Sequence, residues 1–378
     1  MKKILFVATS NMKKRTGGGL ANLAYYNSLK DRYGDNVDLV AFEESMPNFQ
    51  SVLHIKRLSR LDKILMFFKG IIHRFSPVLG EFILNHKSEY SMVIFNGGLL
   101  GDVVEKVSKS GLKLVTIHHN YEVEFQMDNK KSTTLWGLSS YWVKRNENKA
   151  YKYSDINLFL TEDDLELFKK KYGGCHGKTE IIGVYEPCIN KYTPNTNPPV
   201  LNHIVISGSL NSFQTTAGIQ DLDANYMRVI KQVYNDDFVL TITGRRPTQR
   251  IWQFANNYPQ VSIVENPEDI YSVVKQNGIY LCPTNIGGGL KLRVMDGLSQ
   301  GLPILVHKTS ARGYNMFFDK PWFQVYNDSI SFERALLSLV EYIRTHEGQE
   351  IHKTIQDEFM NYFSYINGSR RLINALYD

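Results

Sequence analysis

Cysteine is nearly missing from this sequence. Only Cys175, Cys188 and Cys282 occur in 378 residues, and no two stand at the close spacing of a metal-binding pair. An odd, scattered set of thiols excludes a disulfide-stapled scaffold and points to a reducing compartment. Long apolar runs are missing as well: none approaches the roughly 18 residues of a membrane span. The opening MKKILFVATS imitates a secretory leader, but its apolar stretch from Ile4 to Ala8 is short, and Asn11, Lys13, Lys14 and Arg15 follow it. It reads as a first buried strand. There is no internal repeat and no low-complexity tract. These absences together predict a cytoplasmic chain.

What is present is ordinary for a globular protein: 43% hydrophobic and 22% charged residues. The length exceeds one ordinary core and predicts two domains. The net charge is +6, and it is uneven. The segment HIKRLSRLDKILMFFKGIIHRF, residues 54–75, carries Lys56, Arg57, Arg60, Lys63, Lys69 and Arg74 against Asp62 alone. Leu58, Leu61, Leu65, Phe68, Ile72 and Phe75 recur at helical spacing, and Ile64, Phe67 and Ile71 widen the stripe. This predicts a basic amphipathic helix. It is either a domain helix with a solvated basic face or a contact to an anionic membrane surface. No nucleic-acid-binding module accompanies the charge, so no nucleic-acid partner is expected.

Short apolar, β-branched runs alternate with helical patterns along the whole chain. KILFVAT, VDLVAF, MVIFNG, KLVTIHH, INLFLT and TEIIGV read as strands in the first half. HIVISGS, FVLTITG, VSIVE, GIYLCPT and LPILVH do so in the second. Helices are expected between them, for example from Leu20 to Lys30 and from Asp163 to Lys171, the latter capped by Thr161. Such alternation predicts an α/β protein with two doubly wound, Rossmann-like domains. The stretch EPCINKYTPNTNPPV, residues 186–200, reads as the linker. The expected domains are residues 1–190 and 200–355.

Ligands of open parallel sheets sit beyond the carboxyl ends of strands, and the chemically interesting residues follow strands here. After the first strand, Gly17, Gly18 and Gly19 are expected to form a loop that lets a ligand approach the backbone. The spacing is not GxGxxG, which disfavours a nicotinamide oxidoreductase. His118 and His119 end the strand KLVTI, with Glu122 and Glu124 nearby. Neighbouring residues on a strand point to opposite faces, so this pair suits a cleft better than a metal. Gly208, Ser209 and Asn211 follow another strand, as do Gly244, Arg245 and Arg246, whose guanidinium groups suit phosphate oxygens. Asn266 and Pro267 are expected to open a helix, with Asn266 also a candidate contact to the base of a bound nucleotide.

The segment PTNIGGGLKLRVMDGLSQGLPIL, residues 283–305, is the most specific. A strand ends, Gly287, Gly288 and Gly289 form a loop, and a helix is expected from about Leu290 to Gln300. Such a helix start would suit a diphosphate. Lys291 would lie in its first turn, and Asp296 further in could accept from ribose hydroxyls.

Pro283 to Leu305 resembles the donor-binding segment of the GT-B-fold glycosyltransferases related to bacterial polysaccharide enzymes. TGGGLANLA, IHHNYEVEF, LFLTEDD, SGSLNSFQTTAGI and TITGRRP resemble further segments of that family, in order along most of the chain. The resemblance implies two Rossmann-like domains facing an interdomain cleft, and a last helix, about residues 360–378, returning to the first domain. It implies a nucleotide-diphospho-sugar donor of UDP or GDP type, no other cofactor and no metal. Lys291 and Arg245 would neutralise the leaving diphosphate, Asp296 would bind ribose, and one of His118 and His119 would lie near the reacting sugar. The acceptor would be a glycan, lipid-linked or protein-linked, met by a peripheral enzyme at the inner membrane face. One departure stands out. Many retaining members carry two glutamates at the positions of Gly288 and Asp296, although a subgroup with GGGLKLK-like loops lacks the first. A retaining transfer is expected. The competing expectation is a non-catalytic GT-B partner subunit that binds a glycosylated acceptor.

Overall fold

A computed structural model describes residues 2–10, 12, 17–42, 49–55, 58–124, 136–189 and 194–377. The chain divides into two compact units. One comprises Met1–Asn190 with Phe363–Asp378, the other Lys191–Tyr362.

The first unit holds strands β1 (Lys3–Ala8), β2 (Val37–Val40), β3 (Tyr90–Asn96), β4 (Lys113–His118), β5 (Ile156–Phe159) and β6 (Lys178–Ile181). Its helices are α1 (Gly17–Tyr33), α2 (Arg60–Phe68), α3 (Ser76–Asn85), α4 (Gly101–Val107), α5 (Trp136–Tyr153) and α6 (Glu162–Tyr172). All strand pairs are parallel, in the order β2-β1-β3-β4-β5-β6. Helices cover both faces of such a sheet, so the strands need apolar residues on both, which is why ILFVA and MVIF carry no polar alternation. Leu5, Val7, Val93 and Phe95 pack with Leu79 and Ile83 of α3 and Val104 and Val107 of α4.

The second unit holds β7 (His203–Ser209), β8 (Val239–Arg245), β9 (Val261–Glu265), β10 (Ile279–Cys282), β11 (Ile304–His307) and β12 (Phe323–Tyr326). Its helices are α7 (Phe213–Asp221), α8 (Met227–Tyr234), α9 (Gln249–Asn256), α10 (Ile270–Val274), α11 (Arg293–Ser299), α12 (Ser329–Thr345) and α13 (Gly348–Phe363). The order β12-β11-β10-β7-β8-β9 is that of the dinucleotide-binding sheet, and it reverses direction between β7 and β10. The last helix, α14 (Tyr365–Tyr377), lies with the first unit. There Tyr365 Oη donates to Asp31 Oδ2 at 2.5 Å and Lys113 Nζ to the Leu376 carbonyl at 2.6 Å.

Several elements differ from expectation. The basic amphipathic helix is short, covering Arg60–Phe68 rather than residues 54–75, with Ser59 as its N-cap. It stops because Gly70 takes φ +72°, and a Cβ there would stand 2.8 Å from the Trp142 ring. Lys56 and Arg57 lie outside the described residues. Gly17, Gly18 and Gly19 form the first turn of α1 instead of a loop. Asn266 is not a helix cap. Asp269 caps α10, accepting from Tyr271 N and Ser272 N, whereas Asn266 sits at φ +50° and accepts from Arg246 N at 3.2 Å. The glycine-loop helix begins at Arg293 rather than Leu290, so Lys291 precedes it. β12, with half its residues only partly buried, has no counterpart among the expected strands.

Candidate functional site

The expected site residues fall into two groups, one on each unit, and each group lies where its sheet changes direction.

On the second unit that point separates β7 from β10. Gly208 pairs with Gly244, and Ser209 with Arg245, at the carboxyl ends of β7 and β8. A Cβ at Gly244 would stand 1.8 Å from the Gly208 carbonyl oxygen, so only glycine permits this approach. Beyond the strands, Ser209 Oγ donates to Asn211 Oδ1 at 2.8 Å, and Asn266 N donates to the Gly244 carbonyl at 2.8 Å. Arg245 and Arg246 are exposed beyond the strand ends. Below the strand ends, Ser207 Oγ donates to Asp296 Oδ2 at 2.9 Å and accepts from Tyr280 Oη at 2.7 Å. Asp296 is thereby fixed at the edge of the switch point.

Lys291 does not occupy the expected role of an outward cation. It is 6% exposed, and its Nζ donates to the Gly287 and Gly288 carbonyls at 2.5 and 2.8 Å. Its own carbonyl accepts from Tyr314 Oη at 2.9 Å. Lys291 therefore braces the loop in which Gly287 and Gly289 take φ +92° and +70° and to which Leu290 belongs. The cation that reaches the strand ends is Arg293. A Cβ at Gly208 would stand 3.2 Å from its guanidinium carbon. Arg293 Nη1 is buried with no hydrogen-bond partner among the described residues, so an anion arriving there would satisfy a donor already removed from water. The sequence pattern drew attention to Lys291. Only the close approach of its guanidinium to Gly208 of β7 picks out Arg293.

On the first unit the switch point separates β1 from β3. His119 Nε2 meets Asn96 Oδ1 at 2.6 Å. Asn96 Nδ2 in turn donates to Asn22 Oδ1, and Asn22 Nδ2 to the Ser10 carbonyl at 3.0 Å. Asn22 lies on α1, one turn beyond Gly18 and Gly19. An Asn96 oriented in this way accepts from His119, so Nε2 carries the proton and Nδ1 is the free base. Burial lowers the His119 pKa to about 4, and the ring is neutral at physiological pH. Asn22 and Asn96, both fully buried, were not among the expected residues.

His118 belongs to the core, which corrects its candidacy as a catalytic group. Its ring stacks on Phe159 at 4.8 Å, with Tyr151 and Phe168 around it. Its Nε2 meets Asn157 Oδ1 at 2.9 Å, and burial lowers its pKa to about 4. The two histidines diverge because β4 alternates faces. Behind them lies an acidic cluster. The Glu122 N–H donates to Glu147 Oε1 at 2.8 Å, and Tyr172 Oη donates to Glu147 Oε2 at 2.7 Å. Burial raises both carboxyls, Glu122 to about 7, with Asp164 adding repulsion there. This cluster anchors the segment after His119.

Two Rossmann-like units, each a parallel sheet with a switch in strand order, match the GT-B architecture, and solved structures agree. The chain is similar to sucrose-phosphate synthase of Thermosynechococcus elongatus, at 14% identity and TM-score 0.68 over 100% of this chain and 98% of that one. It is similar to Anabaena HepE in complex with UDP, at 12% identity and TM-score 0.65 over 99% of each chain. A glycosyltransferase from Rickettsia africae gives 12% identity and TM-score 0.64 over 100% of this chain and 99% of that one. No family model and no curated protein matches the sequence. At these identities the likeness establishes the fold.

Proposed function

We propose that the protein is a glycosyltransferase that moves a sugar from a nucleotide-diphospho-sugar to a glycan, lipid-linked or protein-linked acceptor. The observation that carries this reading is the β7–β10 switch point, where paired glycines, Arg293 with its buried Nη1 lacking a partner among the described residues, and a braced glycine loop converge. As the bond from the anomeric carbon to the diphosphate oxygen breaks, negative charge collects on the diphosphate. Arg293, Arg245 and exposed backbone N–H groups stabilise that charge without a metal. Asp296 holds the ribose. On the other unit, His119 offers Nδ1 as an acceptor for the incoming hydroxyl. Retention at the anomeric carbon is part of the proposal. HepE, whose structures hold UDP and UDP-glucose, shares the fold, so uridine donors are the first to test, with GDP types second.

The experiment is thermal unfolding with nucleoside diphosphates and nucleotide sugars. A ligand at 100 times its dissociation constant stabilises by about 2.7 kcal/mol. One nucleotide family should raise the melting temperature. No shift with any nucleotide would favour the non-catalytic partner subunit instead.

The cytoplasmic, peripheral setting is part of the same reading. No helix of the described residues is long and apolar enough to cross a membrane. On α2, however, Leu61, Ile64, Leu65 and Phe68 form an i, i+3, i+4, i+7 stripe that is 72%, 53%, 58% and 63% exposed. Basic Arg60, Lys63 and Lys69 surround it, and Asp62 is occupied with Ser59 N and Oγ. That composition suits an anionic bilayer surface. Co-sedimentation with anionic vesicles should fall when Leu61 and Leu65 become Ser, and fall with salt.

A further inference from the structure

Three neutral polar side chains of the second unit stand beside the glycine loop with their hydrogen-bonding capacity unused. The first is Gln214, the second residue of α7. A Cβ at Gly287 would stand 2.1 Å from Gln214 Nε2 and 2.8 Å from its Cδ, so the carboxamide fills the space that a side chain at Gly287 would take. No hydrogen bond holds the Gln214 side chain among the described residues.

The other two, Thr284 and Asn285, lead from the end of β10 into the loop. Their backbone is fixed from two sides. Ser310 Oγ donates to the Thr284 carbonyl at 2.6 Å, and Thr309 Oγ1 to the Asn285 carbonyl at 3.1 Å. From α7, a Cβ at Gly218 would stand 3.0 Å from Thr284 Cα. Their side chains are treated differently. Thr284 Oγ1 and Asn285 Oδ1 are buried with no partner among the described residues, and Thr284 is fully buried. Buried oxygens of this kind cost stability unless something supplies a hydrogen bond.

The chemistry of the three groups limits what could supply it. Asn285 Oδ1 accepts, Gln214 Nε2 donates, and the Thr284 hydroxyl does either. Sugar hydroxyls also donate and accept, so they suit all three. A carboxylate only accepts and would oppose Asn285 Oδ1. The nearest cation of the loop, Lys291, is turned inward onto the Gly287 and Gly288 carbonyls.

We infer that Gln214, Thr284 and Asn285 read the hydroxyls of the donor's sugar and determine its class, an uncharged sugar and not a uronic acid. The inference rests on the glycosyltransferase reading and deepens it. Arg293 and Asp296 hold the nucleoside diphosphate, and these three groups select what is attached to it.

The test is calorimetric titration of the full chain with two series of ligands. One is UDP with UDP-glucose, UDP-galactose, UDP-N-acetylglucosamine and UDP-glucuronate. The other is GDP with GDP-mannose and GDP-mannuronate. In the series that binds, a neutral sugar nucleotide should bind about tenfold more tightly than the uronate. Gln214→Leu and Asn285→Ala should each weaken the neutral sugar nucleotide by roughly threefold to tenfold, the worth of a neutral hydrogen bond. Both should leave the affinity for the bare diphosphate unchanged. Thr284→Val, which keeps the shape and removes the hydroxyl, should behave alike with no fall in melting temperature, because that hydroxyl has no protein partner to lose. An equal loss of bare diphosphate affinity would make these residues phosphate ligands and overturn the inference. Uronate binding as tight as that of the neutral sugars, or unchanged sugar affinity in all three variants, would overturn it as well. Failure of both UDP and GDP series to bind would count against the transferase reading itself, and the inference would fall with it.

Discussion

Asp296 accepts a hydrogen bond from Ser207 at 2.9 Å and so ties the helix after the glycine loop to the first strand of its sheet. Ser207 and Tyr280 are fully buried and share the same hydroxyl contact at 2.7 Å. Asp296→Ala should therefore leave a buried hydroxyl without its acceptor and cost about 1–3 kcal/mol in urea unfolding. Asp296→Asn keeps an acceptor oxygen and should fold with nearly native stability. If Asp296 also binds ribose, both variants lose nucleotide affinity, and a fully retained thermal shift in Asp296→Asn would remove it from the donor site.

Lys291 offers a sharper separation of roles. A lysine that only met phosphate would be neutral or destabilising in the empty protein. Here its ammonium satisfies two loop carbonyls. Lys291→Met should lower stability without any ligand by about 1.5–3 kcal/mol, the range for bonds to a charged group. Unchanged stability of the ligand-free variant would show that the loop holds its shape unaided.

The buried titratable groups of the first unit pull stability in opposite directions with pH. His119 titrates near 6.5 when unfolded and near 4 when folded, and His118 does the same. Their contribution is complete above 6.5 and is lost as pH falls toward 4. Glu122 is the reverse. Its carboxyl rises from 4.5 to about 7, so its contribution is complete below 4.5 and is lost as pH rises through 7. Glu122→Gln should accordingly gain stability relative to the native chain as pH rises from 4.5 to 7, and no further above. Denaturant midpoints at four pH values check this, and a gain that is constant with pH would place Glu122 in solvent.

The sheet strands were legible because parallel strands covered on both faces read as plain apolar runs, as in LFVA and MVIF. FQVY escaped because it is short and carries a polar residue. The helix α2 is overextended from sequence because the apolar spacing continues through Ile71 and Ile72, although Gly70 leaves helical geometry at φ +72° where the Trp142 ring leaves no room for a side chain. Loop positions were harder. Strand alternation could have separated His118 from His119 in principle, but nothing local says which face carries the aromatic cluster. Asn96 and Asn22 act through contacts 74 residues apart in sequence. No spacing rule finds such a pair, nor a residue like Arg293 whose importance is a close approach to another strand.

Arg293 yields the most discriminating expectation. Its Nη1 is buried without a partner among the described residues, and its guanidinium lies against the Gly208 backbone. Holding an unsatisfied charged donor there costs stability in the empty protein. Arg293→Met, which keeps the packing stem and removes the charge, should leave the ligand-free protein as stable as before or more so. The same change should weaken nucleoside diphosphate binding by roughly tenfold to a hundredfold, the worth of a charge-assisted hydrogen bond. Uridine itself, which lacks phosphate, should bind both proteins equally. Arg293→Lys should restore little, because a single ammonium cannot reproduce the planar fork. Loss of stability with unchanged diphosphate affinity would instead make Arg293 a packing residue of the β7 end and return the phosphate contact to Arg245.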